Sequence, residues 1–352
     1  MSPTSQDSEY TMKAIGLSQA LPIHNPESLV EIALPQPVAK GRDLLVRVAA
    51  TAVNPVDYKV RQSATPPAGE YKVLGWDGAG EVIATGEDVT DFQPGDQVFY
   101  AGDISRSGTN AEYQLVDERI VGIKPRSLSQ AEAAAIPLTA ITAWELLFEH
   151  LSLRQQAPGK IEKTGEVLLV VGGAGGVGSI LIQLAKALTG ATVIATASRE
   201  RSQAWVKQLG ADFVVDHTQP LQPQIEALGV GPLTHVASLN NTSAYFETYT
   251  ELLMPFGKIA LIDDPDSLDI SKLKLKSLSL HWEFMFARSL HQAADMQAQG
   301  ELLNKVSDLI DQGHIKTTLG KHLGAITAEN LRAAHAELES GTAIGKIVLE
   351  GF

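Results

Sequence analysis

Hydrophobic positions follow two regimes along the 352-residue chain. From Met12 to about Leu128 they come in short runs broken by proline and glycine. Asp43–Ala50, Gly80–Ala84 and Ala111–Val116 each predict a strand, and Phe92–Phe99 predicts a turn leading into one. Strands at this spacing predict a small, mostly β barrel. After Ser129 the texture changes. Gln130–His150 predicts a helix kinked or broken at Pro137. From Gly165 to about Phe286, strand-like runs at 166–171, 191–196, 212–215, 234–238, 257–262 and 277–286 alternate with helical segments, notably 176–189 and 200–209. That alternation predicts a parallel, doubly wound sheet. A long helix at 290–312 and a strand–helix–strand pattern over 313–352 follow, and residues 1–10 predict a disordered tail.

The run at 166–171 leads into Gly173-x-Gly175-x-x-Gly178, and the helix beginning at Gly176 puts Ile180, Leu181, Leu184, Ala185 and Leu188 on one face. A strand before the glycines and a helix after them is the context a dinucleotide loop requires; outside it they would read as a surface turn. In that loop Gly173 allows the tight turn, Gly175 lets the backbone approach a pyrophosphate, and Gly178 lets helix and strand pack closely. The helix N-terminus, with Gly176 and Val177, presents free N–H groups and a favourable dipole to phosphate. The second strand of the unit ends in Ala197-Ser198-Arg199-Glu200. An NAD-binding strand would end in an acidic residue that accepts the ribose 2′-OH. Ser198 and Arg199 suit a 2′-phosphate instead, which pairs with a guanidinium fork. Glu200 could swing back to a ribose hydroxyl, but the balance favours NADP(H).

Composition narrows the partners. The net charge is −13 with no lysine or arginine run, so neither nucleic acid nor an anionic membrane surface is expected. No segment approaches ~18 uncharged apolar residues, and Ser2–Glu9 is polar and acidic, so a membrane span and a signal peptide are not expected and a cytoplasmic location is. There is no cysteine, which excludes disulfides, zinc–thiolate sites, cysteine-ligated clusters and cysteine nucleophiles. The nine histidines show no metal-ligand spacing. Residues 277–286 alternate polar and large apolar side chains and would form the last, edge strand of the sheet. Such an edge is a pairing template, so a homodimer is expected unless the 290–312 helix covers it.

The order of motifs resembles the medium-chain dehydrogenase/reductase superfamily, and within it the zinc-free quinone oxidoreductases and the zinc-type alcohol dehydrogenase-like proteins. The resemblance rests on Asn54-Pro55-Val56-Asp57-Tyr58, Leu74-Gly75-Trp76-Asp77-Gly78-Ala79-Gly80, Pro94-Gly95-Asp96-Gln97-Val98, Ala135–Ala140, the glycine loop, Leu209-Gly210-Ala211-Asp212 and Gly345-Lys346-Ile347-Val348-Leu349. It implies an α/β fold: a Rossmann doubly wound parallel sheet, residues 131–312, inserted in a GroES-like, mostly β domain made of residues 1–130 and 313–352. Zinc-dependent members carry a catalytic cysteine near the place of Asn54 and Gly-His-Glu at the place of Gly75-Trp76-Asp77. A catalytic zinc needs about three protein ligands and an open position, which Asp77 alone does not supply, so no metal is expected.

Without a strong Lewis acid, an isolated ketone or alcohol is a poor substrate. A quinone or an α,β-unsaturated carbonyl spreads the developing charge by conjugation, leaving the protein to position it and to donate modest hydrogen bonds. The resemblance puts the Asn-Pro-x-Asp motif along the substrate cleft. Asn54 is therefore a candidate amide donor to a substrate oxygen or the cofactor ribose, or a turn residue; Tyr58 is a candidate hydroxyl donor or a packing residue; and Asp57 is a candidate polar group of the site, or a helix cap or turn residue. Thr142 falls where the family has a threonine touching the nicotinamide, and His217 where it often has a tyrosine near the adenosine. Trp76 reads as filler of the vacated metal site or an apolar wall. Lys346 reads as an exposed charge that could approach the cofactor. Trp282, Phe284 and Phe286 read as sheet or interface core; the resemblance puts the same strand beside the cleft, so Phe286 could also contact substrate. The alternatives to a quinone or enone reductase are a reductase of one specific enoyl or ketone metabolite and a non-catalytic NADPH-binding adaptor.

Overall fold

The computed structural model describes residues 10–352, so the expected tail lies almost wholly outside the described residues. Strands dominate up to Ile123: β1 (Thr11–Leu17), β2 (Val30–Pro35), β3 (Asp43–Val53), β4 (Lys72–Val73), β5 (Asp77–Thr85), β6 (Gln97–Tyr100), β7 (Tyr113–Asp117) and β8 (Val121–Ile123), with α1 (Pro55–Ser63) between β3 and β4. α1 starts where it does because Pro55 fits the first helical position and the Asp57 carboxylate accepts the Asn54 N–H at 2.7 Å. The 130–150 stretch is three pieces: α2 (Gln130–Ala134), opened by a Ser129–Glu132 capping box, α3 (Pro137–Trp144) and a π-helical segment, Glu145–His150. This stretch is long and apolar enough to pass as a span by length and composition alone, but 89% of its most apolar window is buried inside the protein, as in a core helix.

The parallel sheet follows as β9 (Val167–Val171), α4 (Gly176–Leu188), β10 (Thr192–Thr196), α5 (Glu200–Gln208), β11 (Phe213–Val215), α6 (Leu221–Ala227), β12 (Leu233–Ser238), α7 (Thr242–Leu252), β13 (Leu253–Leu261) and β14 (Ser279–Trp282). Its order is β11-β10-β9-β12-β13-β14, and every neighbouring pair is parallel. Buried Val167, Leu169, Val171, Ile194, Val236 and Ile259 form its core. The last strand is shorter than the alternation predicts, because the chain turns inward at buried Met285 and Phe286. The long helix predicted at 290–312 is two: α8 (Ala287–Leu290) ends at a left-handed Gln292, and α9 (Gln297–Asp311) begins after a turn. The chain finishes with β15 (Leu319–His322), α10 (Ala328–Glu339) and β16 (Lys346–Glu350).

Two compact units result. One comprises residues up to Leu138, Phe286–Asp308 and Leu319–Phe352; the other comprises Thr139–Met285 and Leu309–Thr318. In the first, β16 pairs antiparallel with β3, closing the order β15-β16-β3-β5-β6-β8. That pairing sets Ile347 opposite Val53, which brings the first residue of β16 beside the start of α1.

Candidate active site

The second unit carries the glycine loop between β9 and α4. The left-handed turn falls on Gly172, at φ 84°, and not on Gly173 as the motif suggested. Gly173 is glycine for lack of space: a Cβ there would lie 2.9 Å from the Ala195 Cβ. At Gly178 a Cβ would sit 2.5 Å from the Gly172 carbonyl oxygen and 2.6 Å from that of Gly173, so the helix approaches the turn itself. Gly175 differs. It is the N-cap of α4, and a Cβ there would meet nothing nearer than the Gly172 oxygen at 3.5 Å. The loop thus holds a space above a helix start whose first N–H groups, from Gly176 and Val177, precede any intrahelical acceptor. A pyrophosphate fits that donor set.

Ser198, half-buried, and Arg199, exposed, follow β10, and His217 follows β11. The register pairs Thr196 with Val215, so Ser198 and His217 each lie two residues beyond a paired position on neighbouring strands. Ser202 holds the Arg199 backbone N–H at 3.1 Å at the start of α5. The buried His217 Nδ1 has no hydrogen-bond partner among the described residues. Thr142 lies buried on α3.

The first unit carries a cluster of charged side chains closed on one another. Asn54, Asp57, Asp77 and Lys346 are all at most 3% exposed. The Lys346 ammonium donates to Asp77 Oδ2 at 2.8 Å, to the Val53 carbonyl at 3.0 Å and to Asn54 Oδ1. Three acceptors use all three of its protons, so Lys346 is neither the exposed charge expected nor a free donor to a ligand. The Asn54 amide donates to Asp77 Oδ2 at 2.8 Å and to the Ala52 carbonyl at 3.5 Å. One N–H is thus committed to Asp77, and the other meets only a carbonyl at the limit of hydrogen-bonding distance. Asp77 Oδ1 accepts the Leu138 N–H at 2.7 Å. Burial pushes the Asp57 carboxyl up to about 7, against the lowering pull of the Asn54 N–H and the Lys346 charge.

Around this cluster Trp76 is fully buried, its indole N–H donating to the Asp103 carbonyl at 3.2 Å and its ring meeting Phe286 edge-on at 6.0 Å. Trp76 and Phe286 are core. Trp282 and Phe284 are 55% and 47% exposed, so sheet core does not hold for them while the interface reading stands untested. Tyr58 is half-buried on α1. Sequence reasoning missed the Asp77–Lys346 pair; its one visible signal was a lone lysine heading the apolar run Ile347-Val348-Leu349.

Where zinc-dependent members of the resembled superfamily place ligands, this chain offers a saturated amide, an indole donor and a carboxylate committed to an ammonium. That set does not fit a catalytic zinc.

Comparison with known proteins adds the following. Residues 40–141 match the model of the alcohol dehydrogenase GroES-like domain, and 176–299 match that of the zinc-binding dehydrogenase family. The chain is 39% identical over 339 residues to a zinc-type alcohol dehydrogenase-like protein of Staphylococcus aureus, covering 96% of this chain and 99% of that protein. It is 30% identical over 335 residues to the 2-methylene-furan-3-one reductase of Solanum lycopersicum, covering 89% and 73% respectively. A solved structure from Rhizobium etli, provisionally described as a zinc-dependent alcohol dehydrogenase, is 52% identical and superposes with a TM-score of 0.93 over 97% of this chain and 99% of that one.

Proposed function

From the premise that the chain belongs to the medium-chain dehydrogenase/reductase superfamily of oxidoreductases, we propose that it is an NADPH-dependent, zinc-independent reductase of quinones or α,β-unsaturated carbonyls. The observation that carries this reading is the closed Asn54–Asp77–Lys346 cluster. It leaves no ligand set for a Lewis acid, so the acceptor's own conjugation must spread the negative charge of hydride transfer. The tomato relative, named for reducing a conjugated methylene ketone, supports the same class of acceptor. NADP(H), when bound, supplies the hydride. The glycine loop with Gly175 and the N–H groups of Gly176 and Val177 would hold its pyrophosphate. Ser198 and Arg199 would take the 2′-phosphate and His217 would border the adenosine. Tyr58 and Thr142 are the remaining side chains proposed to orient the acceptor and the nicotinamide.

The names of the Staphylococcus and Rhizobium relatives favour a second reading, an alcohol dehydrogenase. Steady-state NADPH oxidation separates the two. Turnover with benzoquinone, naphthoquinones and short enones, with none on simple ketones or alcohols, is the expected result. Stoichiometric zinc by elemental analysis, lost together with activity, would overturn it. Binding of NADPH with no turnover on any acceptor would point to a non-catalytic binding protein. We also propose a cytoplasmic homodimer formed along β14, whose Trp282 stands exposed at the sheet edge. A single monomer-mass species by light scattering would exclude the dimer.

A further inference from the structure

The glycine turn, Ser198, Arg199 and His217 all follow β9, β10 and β11, on one side of the parallel sheet. That side has places for the adenosine and pyrophosphate of a dinucleotide. The strand order β11-β10-β9-β12-β13-β14 reverses between β9 and β12. An open parallel sheet takes its ligand outside the carboxyl ends of its strands at such a point. The nicotinamide-ribose half then extends over the ends of β12 and β13. All of this lies in one unit, within Thr139–Met285.

The turn from β12 into α7, Leu239-Asn240-Asn241, stands against the glycine turn. The Leu239 N–H donates to the Val171 carbonyl at 3.1 Å. A Cβ on Gly172 would lie 3.3 Å from Asn240 Oδ1 and 3.4 Å from the Leu239 Cβ. Asn240 and Asn241 are exposed. Asn241 reverses the chain at φ 51° and ψ 34°, the left-handed region that asparagine visits more readily than other side-chain-bearing residues. Such a conformation persists where its surroundings fix it.

Asn241 is the N-cap of α7, but its side chain makes no capping bond. The cap comes from the next strand. Asp263, half-buried just past β13, accepts the Thr242 N–H at 2.8 Å on Oδ2 and the Thr242 hydroxyl on Oδ1. Its charge lies where a helix N-terminus favours an anion. Asp263 is held in turn. Its carbonyl accepts the Trp282 indole N–H at 3.1 Å, and the Ile262 N–H before it donates to the Ser238 carbonyl at 3.3 Å. Behind the pair, the buried Ser238 hydroxyl bonds Thr242 Oγ1 at 2.8 Å and the Tyr249 hydroxyl at 2.9 Å.

We propose that Asp263 is a positioning residue of the dinucleotide crevice. By holding Thr242 it keeps the Leu239–Asn241 turn against Gly172, and so shapes the wall that receives the nicotinamide-ribose half of the cofactor. The role rests on the NADPH reading above. A helix cap and nothing more would change stability, or affinity for every part of the ligand alike. A positioning residue for one half changes the affinity for that half alone.

The test compares NADPH with 2′,5′-ADP, which carries the phosphorylated adenosine but no nicotinamide-ribose. By calorimetric titration, Asp263→Ala should weaken NADPH by about tenfold or more and leave 2′,5′-ADP within about twofold of wild type. Thr242→Val removes the hydroxyl and should show the same selective loss, by about threefold or more. Thr242→Ser keeps both bonds and should bind both ligands as the wild type does. Equal losses for the two ligands in Asp263→Ala, or undiminished NADPH affinity, overturn the assignment. So does a Thr242→Ser loss as large as that of Thr242→Val. If Asp263→Ala does not fold, the two Thr242 variants decide by the same comparison. Wild-type protein that binds neither ligand overturns the NADPH reading itself, whereas wild-type binding of both with equal losses in the variants overturns only the role of Asp263.

Discussion

The glycine loop and the Asn54–Asp57–Asp77–Lys346 cluster solve opposite problems. The loop is backbone with its polar groups left open: glycines keep side chains away, and the first N–H groups of α4 face outward from the helix. The cluster is side chain with its polar groups closed: lysine, amide and carboxylate consume one another's hydrogen bonds in a buried place. An open set recognises a ligand. A closed set fixes the start of α1 against β16 and β5, and leaves only the Asp57 Oδ1 of its carboxylates without a partner among the described residues.

The contrast is broken most severely by opening the closed set. Lys346→Met leaves the Asp77 carboxylate buried without its ammonium, and removing one member of a buried pair costs about 3–5 kcal/mol. Urea denaturation should show that loss, and the double variant Asp77→Leu/Lys346→Met should recover most of it. A cost under about 1 kcal/mol would place the pair among solvent-exposed ones.

Next in size is the pH dependence of stability that Asp57 imposes. Its carboxyl binds a proton more tightly folded, at about 7, than the ordinary aspartate value of 3.8. The folded state is therefore favoured by this group at low pH, loses that advantage as pH rises from about 4 to 7, and gains nothing further above. Three pH units correspond to about 4 kcal/mol. Asp57→Asn keeps the shape and removes the titration. Its denaturation free energy relative to wild type should rise across that window and be highest at pH 8. Parallel curves for the two proteins would mean that Asp57 titrates normally.

The two regions also differ in how far the sequence discloses them. A strand, a glycine spacing and an amphipathic helix are local patterns, so the loop and its sheet are legible within residues 166–188. The boundaries that failed, at 277–286 and 290–312, depend on Met285 and Phe286 turning inward and on a left-handed Gln292, choices made by packing. The cluster joins residues 292 and 269 positions apart, Lys346 with Asn54 and Lys346 with Asp77. No window contains both partners, so Lys346 reads as a surface charge and Asn54 as a free amide until β16 is paired with β3.

Smaller effects test the open side. Arg199→Ala should weaken NADPH by about tenfold or more while leaving NADH within about twofold, since only the 2′-phosphate uses a charge-assisted contact there. Equal losses for both cofactors would remove Arg199 from 2′-phosphate recognition.

The finest test is Gly175→Ala, because it separates the loop's stability from its function. A methyl group there would meet only the Gly172 oxygen, at 3.5 Å, an ordinary contact. Its φ of −72° is one that alanine adopts freely. The melting temperature should therefore stay within about 1–2 °C of wild type, since a change of about 0.5 kcal/mol moves a chain of this size no further. The methyl nevertheless occupies the space that a pyrophosphate needs above the first turn of α4, so NADPH affinity should drop by tenfold or more, about 1.4 kcal/mol. Gly178→Ala is the contrasting variant: its Cβ would fall 2.5 Å from a backbone oxygen that cannot swing aside, and it should lose stability and cofactor together. If both variants lose only stability, the glycines serve packing and the open set is no binding site. If Gly175→Ala alone weakens NADPH in a fold of undiminished stability, the opening at that residue is what the ligand fills.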